Sequence, residues 1–328
     1  MDILWIIVAI LALGAGFFML AKGADWFVDG AAGIATKLKI PQLVIGLTIV
    51  AMGTSAPEAA VSISAALQEN GAITVGNVVG SNILNILIIL GLSATITSLA
   101  VSKSTMRIDI PVMLGATGLL LLFGWNGVVV WWEGLIILAC FVSYLVYLFM
   151  DARKSMKNNM ELSNSSSEEK IDENKEEKPH FLLKSVIFAI IGLAMIILGS
   201  HFSVESATFL AEKMGVSDKF IGLTVVALGT SLPELFTSVS AAMKKNADIA
   251  IGNIVGSNIF NILFIVGITS IITPVGFVSS FRIDTIIAFA VGIALWLFAL
   301  KGRTLKRWGG IAMLAMYGAY FAYLLVIG

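Results

Sequence analysis

Charged side chains are scarce in this sequence of 328 residues, of which only 13% are Asp, Glu, Lys or Arg. That share is about half of what soluble globular proteins carry. Hydrophobic residues make up 58% of the chain, and the mean hydropathy is +0.95. The formal net charge is zero, but the charges cluster between apolar blocks of about 20 residues, the length that a membrane-spanning helix needs, so there is no case for nucleic-acid binding. The composition excludes a soluble domain and predicts a protein embedded in the lipid bilayer.

Cysteine and histidine are nearly absent. The single cysteine, Cys140, lies in an apolar stretch and has no partner for an internal disulfide. The two histidines, His180 and His201, lie at the edges of apolar stretches and are interpreted as surface residues. No H-E-x-x-H motif occurs, and neither histidine is near a serine that would act as a nucleophile. The sequence therefore predicts neither an enzyme nor a resident cofactor.

Ten apolar stretches are each long enough to cross a membrane as a helix. The first and the sixth are predicted to continue towards Thr36 and Glu212. The stretches lie near Ile3–Leu20, Pro41–Leu67, Ile73–Thr97, Ile108–Gly124, Val128–Met150, Phe181–His201, Val216–Met243, Ile249–Ile272, Ile283–Leu300 and Trp308–Ile327. A polar segment, Asp151–His180, separates two sets of five and predicts a flexible linker, with a regulatory cation site as the alternative.

A long segment of the first half returns in the second. Residues 46–91 align with residues 222–267 without a gap, and 28 of the 46 paired positions are identical. This similarity indicates an internal duplication. Each half holds five spans, an odd number, so the second half must cross the membrane upside down. The predicted fold is an all-α integral membrane protein of ten transmembrane helices: inverted five-helix repeats in 1–150 and 181–328, joined by linker 151–180.

The positive charges indicate how the chain is oriented. If the N-terminus lies outside, 18 of the 21 lysines and arginines fall in connections that face inward. Positive residues accumulate on the cytoplasmic side of membrane proteins. The prediction is a plasma (inner) membrane protein with both termini outside and the linker in the cytoplasm.

Two carboxylates interrupt the apolar repeats. GTSAPE ends at Glu58, and its copy GTSLPE ends at Glu234, each near the middle of a span. An ionised carboxylate at that depth is costly unless it is paired, and no Lys or Arg lies at that depth in these spans. Pro57 and Pro233 are predicted to break their helices and to free the carbonyl oxygens four residues earlier. The sequence therefore predicts that the two carboxylates meet around a soluble cation.

Further oxygen-bearing side chains surround the carboxylates in the sequence. Thr54 and Ser55 lie within about one turn of Glu58. The next span carries polar residues at spacings of four, and the second half repeats them: Asn77, Ser81 and Asn85, then Asn253, Ser257 and Asn261. A set of oxygen ligands without histidine or thiol favours hard cations such as Ca²⁺ and Na⁺. Gly76-x-x-x-Gly80 and Gly252-x-x-x-Gly256 would let these helices pack closely against the broken ones.

The paired G-T-S-x-P-E and G-N-x-x-G-S-N-I-x-N motifs resemble the alpha repeats of the cation/calcium antiporter superfamily, and most closely the prokaryotic sodium/calcium exchangers. The resemblance implies a secondary active antiporter that exchanges Na⁺ for Ca²⁺ by alternating access, in which one chain is sufficient for transport. It implies a calcium site of the Glu58 and Glu234 carboxylates with the backbone oxygens of Thr54 and Thr230. The implied sodium and middle-position ligands are Ser55, Ser81, Ser231, Ser257, the Thr230 hydroxyl, the backbone oxygens of Ala51 and Ala227, and Asn85 and Asn261.

Several alternatives remain open at this stage. Some potassium-dependent relatives carry aspartate where this chain has Asn261, which disfavours potassium co-transport here. A proton-coupled exchanger of Ca²⁺ or another divalent cation is the main alternative function, and a cation channel is a remote one. Asp29 and Glu205 occupy equivalent positions in the first helix of each half. They are interpreted as solvated helix-end charges, with gating groups as the alternative.

Overall fold

The computed structural model describes residues 2–165, 181–214 and 227–327. Eight of the described helices are long and apolar enough to cross a membrane. Gln42–Thr54 and Ala56–Leu67 meet at a bend of 49° and make a ninth candidate span if the pair is counted as one. The predicted span Val216–Met243 lies partly outside the described residues. The described part of the chain is therefore an all-helical protein with up to nine candidate membrane spans.

The first half begins with a long helix and then alternates α-helical and π-helical segments. Its α-helices are α1 Asp2–Leu38, α2 Gln42–Ile45, α3 Ala51–Thr54, α4 Ala56–Leu67, α5 Ala72–Leu84, α6 Gly91–Ile96, α7 Ile110–Gly124 and α8 Trp131–Ser165. Three π-helical segments lie between them: π1 Gly46–Val50, π2 Asn85–Leu90 and π3 Thr105–Asp109. The two short strands are β1 Leu99–Ala100 and β2 Val128–Val129.

The second half follows the same order where it is described. Its α-helices are α9 Phe181–Lys213, α10 Ala227–Thr230, α11 Leu232–Met243, α12 Ala247–Phe260, α13 Gly267–Ile272, α14 Ser279–Leu300 and α15 Arg307–Ile327. The other elements are the π-helical segment π4 Asn261–Val266, a 3₁₀ turn Lys301–Arg303, and the strands β3 Val275–Gly276 and β4 Thr304–Leu305.

Two spans form the centre of the molecule. In the spans Ala72–Ile96 and Ala247–Ile272, 72% and 83% of the most apolar window is buried, against 17% to 39% in the other six. These two spans carry most of the repeated asparagines and serines. Their polar side chains are therefore shielded by protein, while the outer helices turn apolar surface towards lipid.

Helices α1 and α9 pack along each other and are longer than a bilayer requires. A Cβ atom on Gly23 would lie 2.8 Å from the Gly192 carbonyl oxygen, so the two backbones are in direct contact. The predicted continuation of both helices is confirmed, since α1 ends at Leu38 and α9 at Lys213. Asp29 and Glu205 therefore lie inside these helices, so their predicted position at a helix end is wrong, whereas their interpretation as solvated charges is confirmed by side chains that are 56% and 65% exposed.

Helix α8 continues further than the sequence indicated. It reaches Ser165, into the segment 151–180 that was predicted to be a flexible linker. The Arg153 guanidinium lies over the Phe149 ring at 4.5 Å and extends the packing past the apolar stretch. The prediction is wrong for residues 151–165, and residues 166–180 lie outside the described residues.

The short strands connect the two halves of the chain. β1 pairs with β4, and β2 pairs with β3, both antiparallel. Leu99 of β1 and Val275 of β3 are 176 positions apart, as are Val128 of β2 and Thr304 of β4. The two strand pairings are therefore equivalent under the repeat offset. The halves therefore exchange matching contacts at both ends of the central spans.

Close packing holds α12 against the first broken helix. A Cβ atom on Gly256 would lie 2.7 Å from the Leu47 carbonyl oxygen and 2.8 Å from the Ala51 Cβ atom. A Cβ atom on Gly252 would lie 3.0 Å from the Gly46 Cα atom. The predicted role of this glycine pair is confirmed. The segment equivalent to π1 in the second half lies outside the described residues, so the role of Gly76 and Gly80 stays a prediction.

Candidate cation-binding site

The two broken helices each break at a serine that precedes the repeated proline. Ser55 separates α3 from α4 with φ and ψ of −82° and 7°, and Ser231 separates α10 from α11 with −90° and 3°. Pro57 and Pro233 lie in the first turn of the helix that follows. Proline is tolerated in a first turn because no backbone donor is needed there. Each break leaves a glutamate in the first turn of a helix that begins inside the protein.

The carbonyl oxygens opposite the prolines find other partners. The Gly229 oxygen accepts a hydrogen bond of 2.7 Å from the Ser200 hydroxyl, and the Gly53 oxygen accepts a backbone N–H at the end of α3. The Gly229 oxygen therefore points to another helix, as predicted, whereas the prediction is wrong for the Gly53 oxygen. The breaks also redirect the chain and place Ser55 and Ser231 towards the centre.

Both carboxylates are fully buried and each is held by the opposite half. The Ser55 hydroxyl donates to Glu234 Oε1 at 2.8 Å, and the Ser231 hydroxyl donates to Glu58 Oε1 at 3.4 Å. The Ser81 hydroxyl lies 3.5 Å from the same Glu58 oxygen and 3.2 Å from the Ser231 hydroxyl. Two glutamates that are 176 positions apart thus share one cluster of hydroxyl groups.

Four oxygens at this cluster have no hydrogen-bond donor among the described residues. They are Glu58 Oε2, Glu234 Oε2, Asn85 Oδ1 and Asn261 Oδ1. Each belongs to a side chain with 0% exposure. Buried polar atoms in proteins are paired in the great majority of cases, so four unpaired acceptors in one cluster require an explanation. Two carboxylate and two amide oxygens are ligands for a hard cation.

No side chain of the described residues supplies the missing positive charge. The ion pairs of these residues join His201 to Glu205 and Lys244 to Asp25 and Asp29, away from the cluster. Removing two carboxylates from water costs several kcal/mol for each charge unless a counter-charge is present. The counter-charge that this site calls for is a cation from solution.

A matched pair of asparagines fixes the backbone of the glutamates. The Asn77 amide donates to the Glu58 carbonyl oxygen at 3.1 Å and to the Ser62 hydroxyl at 2.9 Å. The Asn253 amide repeats this arrangement with the Glu234 carbonyl oxygen at 3.4 Å and a serine hydroxyl at 2.8 Å. These asparagines belong to the predicted polar stripes, and both position a glutamate through its backbone.

A second pair, Asn82 and Asn258, was not singled out in the sequence analysis. Each amide donates to the other residue's carbonyl oxygen, at 3.1 Å and 3.2 Å. Their Oδ1 atoms accept from Asn261 and Asn85, both at 3.0 Å. This ring of four amides holds the side chains of Asn85 and Asn261 by their nitrogens and leaves their Oδ1 atoms unpaired. The signal was present in the sequence, because both residues recur in the G-N-x-x-G-S-N-I-x-N motif.

Three of the remaining predicted ligands, Thr54, Ala51 and Ser257, contact one another or Asn253. The Thr54 hydroxyl donates to Asn253 Oδ1 at 3.0 Å. The Ala51 carbonyl oxygen receives the hydroxyls of Thr54 at 3.3 Å and Ser257 at 3.4 Å. Thr230 lines a cavity of about 590 Å³ that lies between α4 and α9. Ala227 begins α10, and its part in the site stays a prediction.

The central helices change pitch at the site. π2 begins at Asn85, and π4 begins at Asn261. π-Helical segments inside α-helices occur often at functional sites, because the extra residue in the turn redirects side chains and backbone groups. Both middle asparagines therefore lie where the helix geometry changes.

The chain is similar to proteins of one family over nearly its whole length. The family described as "Sodium/calcium exchanger protein" matches residues 8–150 and 184–326. Those two segments correspond closely to the two halves of the duplication.

Two curated relatives are similar over almost their entire length. The "Putative antiporter CaxA" of Alkalimonas amylolytica is 36% identical over 319 residues, which is 97% of this chain and 98% of the relative. The "Sodium/calcium exchanger MaX1" of Methanosarcina acetivorans is 34% identical, over 98% of this chain and 100% of the relative.

A solved structure has the same fold. The sodium-calcium exchanger NCX_Mj, soaked with 10 mM Na⁺ and zero Ca²⁺, superimposes with a TM-score of 0.83 at 32% sequence identity. The alignment covers 97% of this chain and 99% of that chain. The fold is therefore that of a membrane exchanger from end to end.

Proposed function

This chain belongs to the sodium/calcium exchanger protein family, and we propose that it exchanges Na⁺ for Ca²⁺ across a membrane by alternating access. The observation that carries the proposal is the set of four buried, unpaired oxygens of Glu58, Glu234, Asn85 and Asn261. They belong to side chains that are 0% exposed, and hydrogen bonds connect Asn261 through Ser81 to Glu58. Oxygen ligands with two carboxylates suit Ca²⁺ and Na⁺ better than softer metal ions.

The architecture that we propose is ten transmembrane helices in two inverted five-helix repeats. Three features support it: the 176-residue offset of the two motifs, the equivalent strand pairings, and hydrogen bonds that recur under the same offset. An inverted repeat places equivalent residues of both halves at the same depth, near the midplane. Glu58 and Glu234 then share one site because they are symmetry equivalents.

The ligands divide between two kinds of cation. For Ca²⁺ we propose both carboxylates with the backbone oxygens of Thr54 and Thr230. The sodium positions use hydroxyl and carbonyl oxygens on either side, and the asparagines line the middle position. The sodium and middle-position residues are Ser55, Ser81, Ser231, Ser257, the Thr230 hydroxyl, Ala51, Ala227, Asn85 and Asn261. The described contacts among Ser55, Ser81, Ser231 and the carboxylates support this division.

Charge balance explains why such a site would exchange cations. One Ca²⁺ or two Na⁺ neutralise the two carboxylates, so either loaded form can cross as an electrically balanced core. The cation-free form would have to cross with two bare negative charges in a dry site. Repulsion and lost hydration both oppose that step. After one cation type has been released on one side, another cation therefore has to bind there before the site can return to the other side.

The proposed orientation follows the distribution of positive charge. With both termini outside the cell, the connections rich in lysine and arginine face the cytoplasm, as does the segment between the halves. The plasma membrane of a prokaryote is the proposed location. Each chain contains a complete site, so one chain is sufficient for transport.

Uptake of ⁴⁵Ca²⁺ into proteoliposomes loaded with Na⁺ tests the proposed function. We expect rapid uptake when the outside buffer contains a large organic cation, and little uptake when Na⁺ is equal on both sides. A pH gradient without a Na⁺ gradient is expected to give no uptake. Uptake that follows the pH gradient and ignores Na⁺ would show a proton-coupled exchanger instead, and absence of uptake under both gradients would reject calcium exchange.

A further inference from the structure

The two approaches to the candidate site differ in this structure. Between α4 and α9 lies the cavity of about 590 Å³, which Pro57, Val61, His201 and Thr230 help to line. The equivalent interface, between α11 and α1, is closed. There Phe236 packs against Phe17 with ring centroids 6.1 Å apart. The structure is therefore open towards the site on one side and sealed on the other.

A polar cluster bridges the sealed interface. The Lys244 ammonium donates to Asp29 Oδ1 at 2.6 Å and to the Asp25 carbonyl oxygen at 2.8 Å, and lies 3.7 Å from Asp25 Oδ1. The Ser240 hydroxyl donates a hydrogen bond of 2.7 Å to Asp25 Oδ1. Lys244 follows directly after α11, and both aspartates lie on α1. We call these four residues the Lys244 latch.

The repeat offset locates the counterpart of this cluster on the open side. Lys244, Asp25, Asp29 and Ser240 correspond to Gln68, His201, Glu205 and Ser64. Gln68 donates to Ser64 within its own helix, and His201 pairs with Glu205 within α9 at 3.2 Å. Among the described residues, no hydrogen bond or ion pair joins α4 to α9. The four counterpart residues, all of them described, therefore form no such charged bridge between α4 and α9.

We propose that the Lys244 latch stabilises the conformation in which the cytoplasmic approach to the site is closed, and that it sets the balance between the two access states. This inference rests on the proposed exchange function. An isolated exposed ion pair contributes little to stability. Here one ammonium contacts two carboxylates and a carbonyl oxygen between α11 and α1, and under the proposal this contact is lost when the cytoplasmic approach opens. A difference of that kind shifts a two-state population.

The repeat indicates which variants of the latch residues to compare. Lys244→Gln introduces the residue that the other half carries at this position, and Lys244→Arg retains the charge. Asp29→Asn removes the carboxylate charge that the Lys244 ammonium contacts at 2.6 Å. Val61 lines the open cavity, and its equivalent Thr237 is fully buried on the sealed side. Because the chain has one cysteine, the change Cys140→Ala provides a background for reporter cysteines at these two positions.

The experiment measures how fast a charged thiol reagent modifies Val61→Cys or Thr237→Cys in lipid nanodiscs, where both faces are accessible. With Lys244 present, we expect the Val61→Cys variant to react at least about tenfold faster. Adding Lys244→Gln or Asp29→Asn should raise the Thr237→Cys rate at least about threefold and lower the Val61→Cys rate. Lys244→Arg should keep both rates near those of the parent.

Building the latch residues into the other half provides a second, independent test. Gln68→Lys together with His201→Asp places the latch residues on the open side, and it should lower the Val61→Cys rate. Unchanged rates in Lys244→Gln and Asp29→Asn would overturn the proposal, as would equal effects of Lys244→Arg and Lys244→Gln. These rates do not depend on which cations are exchanged. If the protein exchanges Na⁺ for Ca²⁺ but the latch variants leave the thiol modification rates unchanged, only the latch proposal is rejected. If the latch variants shift these rates but the protein shows no sodium-driven Ca²⁺ uptake, only the proposed function is rejected.

Discussion

Replacement of either Glu58 or Glu234 with glutamine is expected to lower sodium-driven Ca²⁺ uptake at least about 100-fold, and both variants should lose it equally. Each carboxylate supplies half of the negative charge at the site, and neither has a counter-charge from the described protein residues. Removing one partner of a buried charge interaction costs about 3 to 5 kcal/mol, which corresponds to a hundredfold or more in binding. Initial rates in proteoliposomes measure the effect.

Glu133 provides the matched control for this prediction. Its side chain is only 4% exposed, and its Oε2 atom accepts the Val130 N–H at 2.9 Å at the start of α8. Glu133→Gln keeps an oxygen that can accept the Val130 N–H and does not change the candidate site. Ca²⁺ uptake should therefore stay within about twofold of the parent. Equal loss in the Glu133→Gln variant, or retained uptake in either site variant, would contradict the assignment.

Efflux of Ca²⁺ from loaded vesicles is expected to be at least about 100-fold slower into a buffer of a large organic cation than into a Na⁺ buffer. Without Na⁺ or Ca²⁺ outside, the return step would carry Glu58 and Glu234 bare through a site that excludes water. External Ca²⁺ should restore fast efflux of the labelled ion, because it also neutralises the two charges. Time courses of ⁴⁵Ca²⁺ retention measure all three conditions.

A calcium ionophore is the control that releases the label in every buffer and shows that it was free inside the vesicles. Fast efflux into the organic-cation buffer without ionophore would contradict obligatory exchange. That outcome would favour a channel, in which cations cross without a counter-ion.

The meeting of the two glutamates could be predicted from the sequence because three signals agreed. A buried carboxylate, a helix-breaking proline and an exact repeat offset each pointed to a paired site near the midplane. The structure brings Ser55 within 2.8 Å of Glu234 Oε1. Apolar length was likewise sufficient to predict the eight long candidate spans of the described residues, and a ninth if the bent pair Gln42–Thr54 and Ala56–Leu67 is counted as one.

Cross-half contacts could not be predicted from the sequence, because they depend on how two helices are rotated against each other. Asn82 belongs to the repeated motif, yet nothing in its spacing indicated that its amide meets the Asn258 carbonyl oxygen. The contact between Lys244 and Asp29 was missed for a related reason. The predicted continuation of the first helix towards Thr36 already places Asp29 inside it, yet nothing in that stretch indicates which helix faces the Asp29 side chain.

Equilibrium binding of ⁴⁵Ca²⁺ to the purified protein tests most directly the central claim that Glu58 and Glu234 form one site. The predicted result is one Ca²⁺ bound per chain, displaced by Na⁺ with a Hill coefficient above one, and lost in both Glu58→Gln and Glu234→Gln. Two Ca²⁺ ions per chain, each lost in only one of the variants, would contradict the claim and assign the carboxylates to separate sites.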